Sequence, residues 1–222
     1  MTMNLFSVFD PSTLYFLNNW VSVLLWLLFI PSVYWVFNNR LNLLFLSLVN
    51  YIFKEFKPLL LKSSFVLSVI LCTFLFILFN NFLGLFPYIF CASSHMSFTL
   101  SLGLLSWLSL MVYGWINNYK NLLIHLIPQG TSSFLMPFMV LVESISNIIR
   151  PITLSIRLCA NMIAGHLLVT LLSSSLISSS YAMFSFLMLG EVALMILEMA
   201  VAFIQAYVFS MLFTLYASEL SS

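Results

Sequence analysis

Charge is what this chain has least of. Only 6% of its 222 residues are Asp, Glu, Lys or Arg, against about 25% in a soluble globular domain. That scarcity excludes an ordinary cytosolic enzyme, a nucleic-acid binder and a disordered protein. Seven Lys and Arg against six Asp and Glu leave a net charge of +1, so no polyanion partner is implied. Cysteine is also scarce. Cys72, Cys91 and Cys159 lie far apart, without CxxC or any ligand spacing. They read as small apolar residues and not as a disulfide framework or a metal site. No Walker loop, GxGxxG, GxSxG or HExxH is present, so no nucleotide site, bond-cleaving device or cofactor is expected. The first charge is Asp10 and the first basic residue Arg40. The basic start of a removable secretory signal is therefore missing.

What is present is apolar. Hydrophobic residues make up 63% of the chain, and the mean hydropathy is +1.13. Phe (23) and Met (12) are unusually frequent, a bias that fits a chain made inside the organelle that uses it. We expect an all-α polytopic membrane protein, a single membrane domain of about five transmembrane helices plus one interfacial amphipathic helix. Residues 1–63 hold the first span and the interfacial helix, 64–120 the second and third spans, and 130–222 a long helix hairpin.

The first apolar run is about Leu14 to Phe37 and carries Pro31, a candidate kink. The second is about Ser64 to Phe86, and the third about Phe98 to Ile116. The fourth extends from near Met136 to about Leu172, and the fifth from Tyr181 to Ala217. The last two reach roughly 55 Å at 1.5 Å per residue, while the hydrocarbon core is about 30 Å thick. They must tilt strongly, bend or protrude, and Pro151 is a candidate bend. The segment 40–57 is apolar but basic at both ends, which fits an interfacial helix better than a short re-entrant span. Arg40, Lys54, Lys57, Lys62 and Lys120 then fall on one side of five spans. The positive-inside rule places the N-terminus outside and the C-terminus inside.

The remaining ionisable groups sit where membrane helices rarely carry them. An Arg or Asp at a helix centre costs about 2.5–3.5 kcal/mol on insertion scales, and such residues mark ion paths by default. Glu143, Arg150 and Arg157 are seven apart and share one helical face, which Asn147 and Asn161 extend. Glu191, Glu198, Gln205 and Glu219 form a second stripe on the last span. A salt-bridge seam would need fewer carboxylates. A series of proton-exchanging groups accounts for them better, because desolvation eases protonation of a carboxylate. His166 is nine residues beyond Arg157, on the opposite side of the helix, and is a packed residue or a proton carrier. His95 and His125 read as interfacial. Ala160, Ala164 and Gly165 on one helix, and Ala193, Ala200, Ala202 and Ala206 on the other, permit close approach. That approach is open between packing within the chain and contact with another subunit.

The run from Leu154 through Arg157 and Asn161 to Gly165-His166, with the later run from Glu198 through Gln205 to Tyr207, closely resembles subunit a of F-type ATP synthases in its mitochondrially encoded form. Asn80-Asn-Phe-Leu-Gly84-Leu-Phe-Pro87-Tyr is similar to that family's second-span motif. The resemblance covers essentially the whole chain. It implies a stator subunit of the membrane sector in the mitochondrial inner membrane, with its long hairpin against a ring of c subunits. The peripheral stalk and other membrane subunits are implied partners. Arg157 would be the essential arginine facing the ring carboxylate. Asn161, His166, Glu198, Gln205 and Glu191 would serve an outer half-channel, and Glu143 and Glu219 a matrix one. Arg150 is open between a structural and a channel role, and Glu191 between the channel and its rim. A solute carrier is the alternative from another class, but its internal repeat is not seen. A scaffold whose charges only pair is the other.

Overall fold

The computed structural model describes residues 5–12, 19–30, 39–60, 64–117, 119–127, 134–178 and 180–221. Among these the regular structure is helical. The elements are α1 (Trp26–Phe29), α2 (Arg40–Phe56), α3 (Ser64–Gly84), α4 (Met96–Asn117), α5 (Tyr119–His125), α6 (Met136–Ser178) and α7 (Tyr181–Ser221), with short 3-10 turns between some of them. Four of them, α3, α4, α6 and α7, are long and apolar enough to cross a membrane. The expected first span, Leu14 to Phe37, lies partly outside the described residues. Its described part is a short apolar stretch, Asn19–Phe29, and Pro31 lies outside the described residues.

Helices α6 and α7 are longer than the hydropathy pattern predicts, at 43 and 41 residues. Pro151 lies inside α6 without ending it. Its ring nitrogen cannot donate to the carbonyl four residues earlier, that of Asn147. At this place α4 comes close. A Cβ on Gly103 would stand 3.3 Å from the Pro151 carbonyl oxygen and 3.4 Å from Ser155 Cβ. Hydroxyl groups on these helices bond back to their own backbone, as Ser146, Ser155, Ser210 and Thr214 do. Their donors are thus satisfied without water or lipid.

Helix α2 meets the rest of the chain along one stripe. Asn42, Phe45, Val49 and Ile52 are half-buried and Phe56 is fully buried, at the alternating spacing of three and four that lines one helical face. Leu41, Leu44, Leu48 and Tyr51 remain exposed, as an interfacial helix in lipid requires. Phe56 and Leu60 anchor it in a cluster with Leu67, Ile70, Leu110 and Phe213.

The core lies among α3, α6 and α7. Helix α3 packs chiefly on α7, α4 on α6, and α6 on α7. Phe74, Ile77, Leu154, Leu158 and Phe209 fill its centre around Ala206, which is fully buried. The alanines divide by role. Ala202 and Ala206 are buried inside the chain, while Ala160, Ala164, Ala193 and Ala200 are exposed.

Beyond α3 the chain turns back through Pro87 and a short buried 3-10 turn, Ala92–Ser94. Gly84 is needed here, because a Cβ would lie 2.8 Å from Cys91 Sγ. The Cys159 thiol donates to the Ser94 carbonyl at 2.9 Å, pinning the turn to α6. All three cysteines are free thiols. His95 is packed between the rings of Phe90 and Trp20, at 5.1 and 5.3 Å. The side chain of His125 lies outside what is described.

Candidate functional site

The polar residues of α6 and α7 divide into three zones along the helix pair. At one end a cavity of about 270 Å³ is lined by Asn161, Gly165, Glu198 and Gln205 among apolar side chains such as Leu85 and Leu194. Glu198 is nearly buried, and its Oε1 has no hydrogen-bond partner. The carboxylate fits against α6 because residue 165 is glycine. A Cβ there would stand 3.0 Å from both the carboxyl carbon and Oε1 of Glu198. The next residue, His166, is half-buried. Its Nε2 is buried without a hydrogen-bond partner, and the ring of Phe9 meets it edge-on at 6.2 Å. Glu191 is half-buried on α7 but is not part of the cavity lining.

At the other end a wider cavity of about 520 Å³ opens between α4, α5 and α6. Trp107, Trp115, Glu143, Asn147, Arg150 and Tyr216 are among its walls. Glu143 and Arg150 form an ion pair at 3.6 Å, two turns apart on one helix, with their side chains 38% and 41% exposed. The Arg150 guanidinium also lies over the Tyr216 ring, 5.6 Å from its centre. Glu219 is helical at the end of α7, and its side chain lies outside what is described.

Between these zones stands Arg157. It borders an open cavity of about 280 Å³ with Arg150, Thr153, Leu154, Leu215 and Tyr216. Arg157 is exposed and makes no ion pair or hydrogen bond among the described residues. It belongs to an exposed stripe of α6, Thr153, Arg157, Ala160, Ala164, Leu168 and Leu171, where small side chains leave room for a close neighbour.

The family model described as "ATP synthase A chain" matches residues 15–218. The chain belongs to the ATP synthase A chain family. Curated relatives agree along the full length. A protein named ATP synthase subunit a from Drosophila melanogaster is 54% identical over 224 aligned positions, covering 100% of both chains. The Locusta migratoria protein of that name is 54% identical over 99% of both, and that of Aedes aegypti 52% over 100% of both. Membership in this family makes the chain a multi-pass subunit of the membrane sector of an ATP synthase.

Of the residues singled out in the sequence, the structure gathers Asn161, Glu198 and Gln205 in one cavity and Glu143 in another. It sets Arg157 between them and leaves His166 and Glu191 apart from both linings. Three contributors carry no polar signal of that kind. Gly165 acts by lacking a side chain, and Tyr216 and Phe9 act through their rings. A glycine beside the histidine, opposite a glutamate one span later, is the only trace the sequence holds of the first.

Proposed function

We propose that this chain is the proton-translocating stator subunit of its synthase, resident in the mitochondrial inner membrane, with the long hairpin against a ring of c subunits. The observation that carries the reading is Arg157. A guanidinium on an exposed face of a membrane helix, with no anion beside it among the described residues, calls for one from outside. A carboxylate carried past on a rotating partner meets that need. Opposite charge at close range favours the ionised form of the carboxylate, so it surrenders its proton there. The same fixed cation blocks direct proton transfer between the two cavities.

The 270 Å³ cavity with Asn161, Glu198 and Gln205, together with His166, serves as the outer half-channel, and Glu191 lies at its rim. The 520 Å³ cavity with Glu143, and Glu219 at the end of α7, serves the matrix half-channel. The lysines that follow the interfacial helix and α4 support this orientation, with the N-terminus in the intermembrane space and the C-terminus in the matrix. The peripheral stalk and the remaining membrane subunits hold the hairpin still while the ring turns. A proton crossing about 100 mV releases roughly 2.3 kcal/mol to drive that turn.

The test is Arg157→Ala in the assembled complex. Native gels stained for ATPase, with mass spectrometry of the band, should still show the chain beside a small proteolipid. Proton pumping coupled to ATP hydrolysis should fall by at least about a hundredfold, the scale of losing one aligned electrostatic contact, while passive leak across the membrane rises. A complex that disperses instead supports the scaffold reading, and unchanged pumping rejects the stator reading.

A further inference from the structure

Asp10 is the only aspartate in the chain, and neither cavity uses it. Its surroundings are built. The N-terminal turn Leu5–Phe9 packs on α6, and Phe9 sets its ring edge-on to His166 at 6.2 Å. Asp10 follows directly. Its amide donates to the Ser7 carbonyl at 3.3 Å. The Ser12 amide donates to its Oδ1 at 3.0 Å, and the Asn19 side-chain amide donates to its carbonyl at 3.4 Å. Asn19 is in turn held in place by the next turn, where Ser22 donates to the Phe90 carbonyl at 3.0 Å. The backbone around Asp10 is thus held on both sides while its carboxylate stays exposed.

We propose that Asp10 is the proton-collecting carboxylate at the outer mouth of the half-channel that His166 serves. The inference rests on the half-channel reading above. His166 Nε2 is buried and unpartnered, and the ring covering that histidine belongs to the residue beside the exposed carboxylate. Asp10 is next to that ring in the chain and is the only Asp, Glu, Lys, Arg or His among residues 1–39. The other titratable groups at this end are His95, stacked among aromatic rings, and Glu191 and Glu198 on α7. Lys54, Lys57 and Lys120 belong to the opposite end, where Phe56 and Leu110 share a cluster. No basic side chain among the described residues neutralises Asp10. Its bond from the Ser12 amide holds the carboxyl below the usual carboxylate range, so it stays ionised where protons are taken up. A fixed negative charge at a mouth raises the local concentration of cations and speeds their delivery.

The experiment uses the whole synthase reconstituted in vesicles, with the outer end facing the lumen. Proton flux out of the lumen is followed with a pH dye under an imposed potential, at low buffer and with an imidazole-loaded lumen. Asp10→Asn should lower the low-buffer flux by about fivefold, as expected for losing one steering charge. Imidazole should restore it, because a mobile carrier replaces a fixed collector. Asp10→Glu should behave as wild type. If Asp10→Asn fails to assemble, Asp10→Ser carries the same test, since its hydroxyl can still accept from the Ser12 amide. His166→Ala is the control and should lose flux at both buffer levels. Wild-type flux in Asp10→Asn, or a loss that imidazole does not restore, overturns the role of Asp10. Wild-type flux in His166→Ala overturns the half-channel reading itself.

Discussion

The two ends of the α6–α7 pair use the same residue types in opposite ways. On the proposed orientation the inner end holds Glu143, paired with Arg150, and both side chains keep more than a third of their surface exposed. At the outer end Glu198 is nearly buried, and one carboxylate oxygen has no partner. The cavities differ as well, about 520 Å³ against about 270 Å³. An exposed ion pair contributes only about 0–1 kcal/mol, so the inner pair is not what holds the hairpin together. A buried polar group without a bond costs more than such a pair returns. Stability therefore accounts for neither carboxylate. On the proposed function each is a proton station, one exposed and one nearly buried, on either side of Arg157.

The difference can be broken first by deleting each carboxylate. Glu198→Ala should lower proton flux about a hundredfold, the usual worth of a positioned proton-transfer group. Its side chain is nearly buried, so solvent replaces it poorly. Glu143→Ala should cost about threefold or less, because solvent entering a wide, exposed cavity can carry the proton instead. Flux measured in vesicles from the two variants at equal complex content decides this. Equal losses would mean that the two ends are not distinguished by enclosure.

A finer cut concerns the fit of the outer carboxylate. Gly165→Ala puts a methyl group 3.0 Å from the Glu198 carboxyl carbon and oxygen. The carboxylate must move off α6, and flux should fall about tenfold, as small misplacements of a reacting group do. Adding Glu198→Asp withdraws the carboxylate by one methylene and should recover part of the loss. Failure of that double variant to exceed Gly165→Ala alone would show that glycine is needed for helix packing and not for the carboxylate.

Much of this arrangement was legible in the sequence, and the reasons are physical. Apolar runs longer than a bilayer is thick can only be membrane helices, so α3, α4, α6 and α7 were readable to within a few residues. Heptad spacing put Glu143 and Arg150 on one face, and their ion pair follows directly. What a one-dimensional pattern does not carry is which neighbour a face meets. The small residues left contact within the chain and contact with a partner open. The fold answers both ways, with Ala206 buried and Ala160 exposed. The enclosure of Glu198 depends on a glycine in another helix. The packing of Phe9 on His166 joins residues more than 150 positions apart, which no local periodicity records. Helix α6 also ran through Pro151, because α4 closes against it there through Gly103.

The smallest effect sharpens the inner side. The Tyr216 ring lies under the Arg150 guanidinium at 5.6 Å, a contact worth about 0.5–1 kcal/mol when exposed. Replacing it by an aliphatic side chain leaves the ion pair in place but removes one of two features that fix the guanidinium. Tyr216→Leu should therefore lower flux by about twofold. Tyr216→Phe keeps the ring and should leave Arg150 where it is. Parallel flux measurements on both variants and on Arg150→Lys separate the contributions, because lysine keeps the charge but loses the planar fork that stacks on a ring. If Tyr216→Leu costs as much as Glu143→Ala, the ring and not the carboxylate organises the inner cavity. Arg150 would then be held for its position relative to Arg157, one heptad away, more than for its bond to Glu143.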